Sequence, residues 1–132
     1  MCGIFAIINN DYNKVPVSAI QNSFELGKNR GPEMSVLQPP NAEQSCQFGF
    51  HRLAINGVAD TNSMQPMTID GVTLVCNGEI YNYQDLKEPL LQKGYTFISC
   101  SDTEVLLYHL IENGIEKGII AVDGEFAFAF YV

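Results

Sequence analysis

Cys2 directly follows the initiator methionine, in the opening run Met1-Cys2-Gly3-Ile4. Removal of Met1 would leave a thiol and a free α-amine on one residue. A thiol titrates near ~8.5 and an α-amine near ~7.7–8, so at neutral pH part of the amine is unprotonated and can take the thiol's proton. Nucleophile and base then share one residue, and no catalytic histidine is needed. With Met1 attached the nitrogen is a peptide amide, and this chemistry is closed. The plainer reading of Cys2 is a small apolar residue at the start of a buried strand.

Three further patches place polar groups near expected element ends. In His51-Arg52-Leu53-Ala54-Ile55 an arginine stands among apolar residues. Its guanidinium fork suits either a substrate carboxylate, through two parallel hydrogen bonds, or a structural ion pair. His51 reads as a packed, hydrogen-bonded histidine rather than a base. In Cys76-Asn77-Gly78-Glu79 the Asn-Gly pair follows an apolar run. The local pattern favours a turn. An oxyanion hole built from the Asn77 side-chain amide and the Gly78 N–H is compatible with that turn. Ser101-Asp102-Thr103-Glu104 matches a helix capping box, yet Asp102 together with Glu79 could grip an ammonium group. Arg52 for a carboxylate and Asp102 plus Glu79 for an ammonium would read the backbone end of a free amino acid. Cys2, Asn77 and Gly78 would then meet its side chain. An amide there means glutamine or asparagine, and composition does not choose between them.

The scaffold that must position these groups is a single domain. The chain has 132 residues, 46% hydrophobic and 17% charged, which is a globular composition. The formal charge is −8, from 15 acidic and 7 basic residues, and no Lys/Arg cluster exists, which argues against nucleic-acid binding. No run of ~18 apolar residues marks a membrane span, and no signal-peptide pattern precedes the domain, so a cytoplasmic protein is expected. Cys2, Cys46, Cys76 and Cys100 are widely spaced without a CxxC pair. That spacing argues against a zinc site or a disulfide framework.

Residues 3–8 read as a buried strand and 17–28 as a helix facing the core with Val17, Ile20, Phe24 and Gly27. A strand is expected over 46–55. A hairpin is expected over 68–76, turning at Asp70-Gly71. Asn82 is placed to cap a helix to about Lys93, stopped by Gly94 and kinked at Pro89. A further helix runs from the 101–104 box to about Gly114. The last strand, 125–132, alternates Phe126, Phe128 and Phe130 with Ala127, Ala129 and Tyr131. Hairpin-linked strands with separate helices imply the α+β class.

Seven blocks occur in order: MCGI (1–4), RGPE (30–33), FGFHRLAI (48–55), MQPM (64–67), NGEIYNY (77–83), SDTEVLL (101–107) and DGEFAFAF (123–130). Together they resemble the glutaminase domain of class II glutamine amidotransferases, most closely its asparagine synthetase branch, across essentially the whole chain. The resemblance implies an N-terminal nucleophile hydrolase fold, an αββα sandwich of two antiparallel sheets between helix layers. It implies Cys2 as nucleophile, Asn77 and Gly78 as oxyanion hole, and glutamine as substrate. Glutamine would be bound by Arg52, Asn77, Gly78, Glu79 and Asp102, with Leu53, Ala54, Ile55 and Asn56 lining the pocket. No metal or cofactor is implied for this domain. ATP and magnesium would belong to a synthetase domain, on a longer or separate chain, that makes asparagine with the ammonia released here. The resemblance also implies strands beyond Val132, so a C-terminally incomplete glutaminase domain is expected. Three other readings are compatible with the sequence. They are an inactive remnant of the same fold, a glutamine-sensing module that keeps Met1, and the glutaminase domain of another class II amidotransferase.

Overall fold

A computed structural model describes residues 2–8, 10, 14–42, 45–53 and 60–132. The elements in chain order are β1 (Gly3–Ile7), α1 (Val17–Leu26), β2 (Met34–Leu37), β3 (Gln47–Arg52), β4 (Met67–Ile69), β5 (Val72–Ile80), α2 (Tyr83–Gln92), α3 (Asp102–Asn113), α4 (Ile115–Ile120) and β6 (Gly124–Tyr131). The strands form two antiparallel sheets, ordered β1-β3-β2 and β4-β5-β6.

Side-chain alternation along each strand dictates the layers, because successive residues point to opposite faces. On β5, Val72, Leu74, Cys76 and Ile80 point to one face. There they join Leu86 and Leu90 of α2 and Val105, Leu106 and Leu110 of α3. Leu74, Leu106 and Leu107 are completely buried, each contributing about 1.5–3 kcal/mol of apolar transfer. Val75, on the opposite face, packs with Cys46 and Phe48 from the other sheet, flanked by Ile4, Ala129 and Tyr131. The sheets therefore stack through this second cluster.

The outer face of the first sheet carries α1. Phe24 stacks on His51 with ring centroids 4.0 Å apart and meets Phe5 edge-on at 5.7 Å. Gly49 leaves the room for the Phe24 ring, since a Cβ there would lie 2.6 Å from it. The result is the αββα sandwich expected from the sequence. The alternation of β6 is also as expected: Phe126, Phe128 and Phe130 lean on the helix-side core, and Ala129 and Tyr131 on the inter-sheet cluster.

Several local expectations are corrected. β5 does not stop at Cys76. It continues through Asn77-Gly78 to Ile80, because β6 pairs Asn77 with Ala127 and Gly78 with Phe126, so Asn77-Gly78 is not a turn. The turn signal holds at Asp70-Gly71, where φ is 50° and 84°. Val17 is 72% exposed and does not face the core, which α1 reaches with Ile20 and Phe24. The strand expected over 46–55 runs from Gln47 to Arg52, with Ala54 and Ile55 outside the described residues. β2 and α4 were not expected. The helix expected to about Lys93 is present: α2 runs through the exposed Pro89 to Gln92, with Lys93 at its C-cap.

Asn82 stands at the N-cap of α2 without capping it. Its amide instead donates to Ala121 O and accepts from Asp123 N, tying the helix to the start of β6. The capping box of α3 forms by half. Ser101 Oγ accepts from Thr103 N at 3.1 Å. Glu104, 2% exposed, reaches past the helix end to accept from Ile98 N, Ser99 N and Ser99 Oγ.

Candidate active site

Strand register brings the chemistry to one layer. Gly3 pairs with His51, and β1 alternation puts Cys2 on the same side as Ile4, toward the second sheet. Asn77 lies two residues beyond Val75, the inter-sheet residue of β5, and so faces back toward Cys2. Cys2 N donates to Asn77 Oδ1 at 2.7 Å, joining the two sheets at the end where Cys2 enters β1. Cys2 Sγ rests over the Leu53 backbone. Leu53 N donates to the sulfur at 3.4 Å, and the thiol donates to Leu53 O at 3.4 Å.

Asn77 spends its carbonyl oxygen on Cys2. Its Nδ2 has no acceptor among the described residues. Gly78 follows with φ +152°, and an added Cβ would lie 2.1 Å from Glu125 O. Only glycine lets β5 keep its ladder with β6 in this conformation. Gly78 and Glu79 are exposed.

Burial, reinforced by the nearby charges of Asp102 and of a Cys2 thiolate, pushes the Cys76 thiol from 9.0 up to about 12. Cys76 therefore stays a neutral thiol near neutral pH, and Cys2 is the half-buried sulfur on the residue bonded to Asn77. His51 is 1% exposed. One ring nitrogen, Nε2, is 2.8 Å from Phe24 O, and the other, Nδ1, is 2.7 Å from Ser35 Oγ. A carbonyl only accepts, so Nε2 carries a hydrogen and donates to Phe24 O, while Nδ1 pairs with the Ser35 hydroxyl. This histidine is structural, as its local sequence suggested.

The remaining expected residues divide. Arg52 is buried at the end of β3, where Nη2 donates to Ser63 Oγ at 3.3 Å and Asp60 O at 3.5 Å. Asp102 opens α3, and its carboxylate accepts from Ile80 N at 2.8 Å and Thr103 N at 2.9 Å. It is thereby anchored to the far end of the strand that carries Asn77. Ala54, Ile55 and Asn56 lie outside the described residues. Cys2, Asn77 and Leu53 thus meet directly, whereas Arg52 and Asp102 are held on neighbouring element ends.

Sequence reasoning missed the residues that hold these groups in place. Arg30 Nε donates to Cys2 O at 3.3 Å, bracing the Cys2 backbone. Gly31 lets the chain pass the β3 backbone, because a Cβ there would lie 2.0 Å from His51 O. Both sit in the RGPE block, whose conspicuous glycine and proline were the available signal. Gln65 Oε1 accepts from Cys76 N at 2.6 Å, supplying a partner where β4 no longer lies against β5. Among the described residues, no three His, Cys, Asp or Glu side chains assemble as metal ligands.

Residues 1–132 match a family described as the glutamine amidotransferase domain. The glutamine-hydrolysing asparagine synthetase of Gallus gallus is 35% identical over 131 residues, covering 97% of this chain and 22% of that protein. Asparagine synthetase 1 of Bacillus subtilis is 37% identical over 141 residues, covering 99% and 21%. The chain therefore spans about a fifth of the length of these relatives. A solved structure of the allosteric regulatory enzyme of purine biosynthesis superposes with a TM-score of 0.59 at 20% identity, over 98% of this chain and 29% of the other. That likeness is one of fold.

Proposed function

Since this chain belongs to the glutamine amidotransferase domain family, we propose that it hydrolyses glutamine to glutamate and ammonia through a thioester on Cys2. The 2.7 Å bond from Cys2 N to Asn77 Oδ1 carries this reading. After removal of Met1 that nitrogen is an amine. One N–H stays on Asn77, which orients the lone pair, and the lone pair takes the proton of the same residue's thiol.

The thiolate attacks the side-chain carbonyl carbon of glutamine. The oxygen that becomes negative is held by Asn77 Nδ2 and Gly78 N–H, donors aimed at charge that exists only in the transition state and the intermediate. Collapse of the intermediate breaks the C–N bond, and the Cys2 ammonium returns its proton to the leaving ammonia. The same amine then deprotonates a water that attacks the thioester, and glutamate leaves as the thiol re-forms.

Arg52 pairs with the α-carboxylate of glutamine. Asp102 and Glu79 take its ammonium, and the 53–56 stretch, Leu53 with Ala54, Ile55 and Asn56, walls the pocket. An ionised carboxylate has about four acceptor positions, so Asp102 can serve an ammonium while it holds two backbone N–H groups. No helix among the described residues is long and apolar enough to cross a membrane. The relatives are asparagine synthetases. We assign the ammonia to a synthetase domain in the cytoplasm, on a longer or separate chain, where ATP and magnesium would bind.

Intact mass should show loss of Met1. Glutamate release should then be measurable for the wild type and absent for Cys2→Ala. Equal release by both, or release from a chain that keeps Met1, rejects the mechanism.

A further inference from the structure

Arg52 closes β3 and Asp102 opens α3, and the segments that hold them meet at Asp60. Arg52 Nη2 donates to Asp60 O at 3.5 Å and to Ser63 Oγ at 3.3 Å. Ser63 Oγ in turn donates to the same Asp60 carbonyl at 2.6 Å. The Asp60 carboxylate is divided between two backbone groups. Oδ1 accepts from Asn62 N at 2.9 Å, and Oδ2 accepts from Cys100 N at 3.1 Å.

Cys100 immediately precedes Ser101, the N-cap of α3, and Asp102 is the first residue of that helix. Asn62 reinforces the link by donating its Nδ2 to Ile98 O at 3.1 Å. On its other side the 98–99 backbone is gripped by buried Glu104. A single residue thus contacts the guanidinium with its backbone and the approach to α3 with its side chain.

We propose that Asp60 is a positioning residue that sets the separation between Arg52 and Asp102, and thereby the fit of the amino-acid head group. This rests on the glutamine reading above. Asp60 touches no reacting atom, so its effect falls on recognition of the carboxylate and ammonium and leaves the sulfur chemistry alone. A purely local role, capping the 3₁₀ turn Thr61–Ser63 through Oδ1, would not separate recognition from chemistry.

Asp60→Asn divides the two roles. It keeps an oxygen for Asn62 N but presents an NH₂ group where Cys100 N needs an acceptor. Cys2 is labelled in the full chain, after Met1 removal, with two electrophiles. One is a glutamine analogue carrying a diazoketone in place of the amide, and the other is iodoacetamide, which lacks the head group. Labelling is read at the Cys2 peptide by mass spectrometry.

In Asp60→Asn and Asp60→Ala, labelling by the analogue should slow about tenfold, the size of one charge-assisted hydrogen bond, while iodoacetamide keeps its wild-type rate. KM for glutamine should rise by about the same factor, with kcat within about twofold. Wild-type analogue labelling in Asp60→Asn overturns the proposal, as does equal slowing of both reagents. Should Asp60→Ala fail to fold, Asp60→Asn decides alone. Absence of analogue labelling in the wild type itself overturns the glutamine reading instead.

Discussion

The backbone nitrogen of Cys2 and the side-chain oxygen of Asn77 are hydrogen-bonded at 2.7 Å across 75 residues of sequence. This bond joins the first strand of one sheet to the central strand of the other. It also divides the Asn77 amide, with its oxygen on Cys2 and its NH₂ without an acceptor among the described residues, where the proposed mechanism uses it as an oxyanion donor.

Replacement of Asn77 should therefore impair turnover far more than binding. Asn77→Ala is expected to lower kcat by ~10²–10³, the usual loss for one oxyanion donor. Asn77→Asp retains an acceptor for Cys2 N but has no N–H, and it should fall by a similar factor. Near-normal kcat in Asn77→Asp, measured by glutamate release, would remove the NH₂ from the mechanism.

Gly78 and Gly71 both have positive φ, at +152° and +84°, but only Gly78 is crowded. A Cβ at Gly78 meets Glu125 O at 2.1 Å, whereas nothing lies within 4 Å at Gly71. Gly78→Ala should destabilise the fold by more than ~2 kcal/mol, through a backbone clash in a central ladder. Gly71→Ala should lose only about 1 kcal/mol of left-handed strain. Urea midpoints compared at constant slope check this, and equal losses would contradict the close approach of β5 and β6.

The Cys76 thiol gives a stability profile with a definite sign. Its folded value, about 12, lies above the ordinary 9.0 because burial opposes the thiolate. The unfolded chain therefore releases the proton first as pH rises. The contribution of Cys76 is fully present below about 9 and is lost on the way up to about 12. Denaturant melts from pH 8 to 10.5 should show stability falling more steeply in the wild type than in Cys76→Ala. Parallel curves would mean that Cys76 is not held protonated by the fold.

Much of this was readable from local pattern. Phe126, Phe128 and Phe130 alternate with Ala127, Ala129 and Tyr131, and period two alone predicts two faces for β6. Asp70-Gly71 announces its hairpin, and Leu86 and Leu90 announce the buried side of α2. Other elements carry little signal. β2 has four residues at a sheet edge with two of them exposed. α4 has six residues, too few for helical periodicity to stand out. Asn77-Gly78 misled because dipeptide preference reports on isolated turns, and here pairing with Ala127 and Phe126 overrides it.

The amino-acid order by itself supplied the candidate groups: a thiol next to a potential terminus, an arginine among apolar residues, and an acid at a helix start. It also determined which face each side chain takes within its own strand or helix, because those periods are short and local. Which groups meet was decided only by the stacking of the two sheets and the docking of α3. Cys2 reaches Asn77 and Asp60 reaches Cys100 because non-local burial around Val75, Phe48 and Leu106 locks the layers together. Such burial is a sum over residues far apart in the chain, and no local window of sequence contains it.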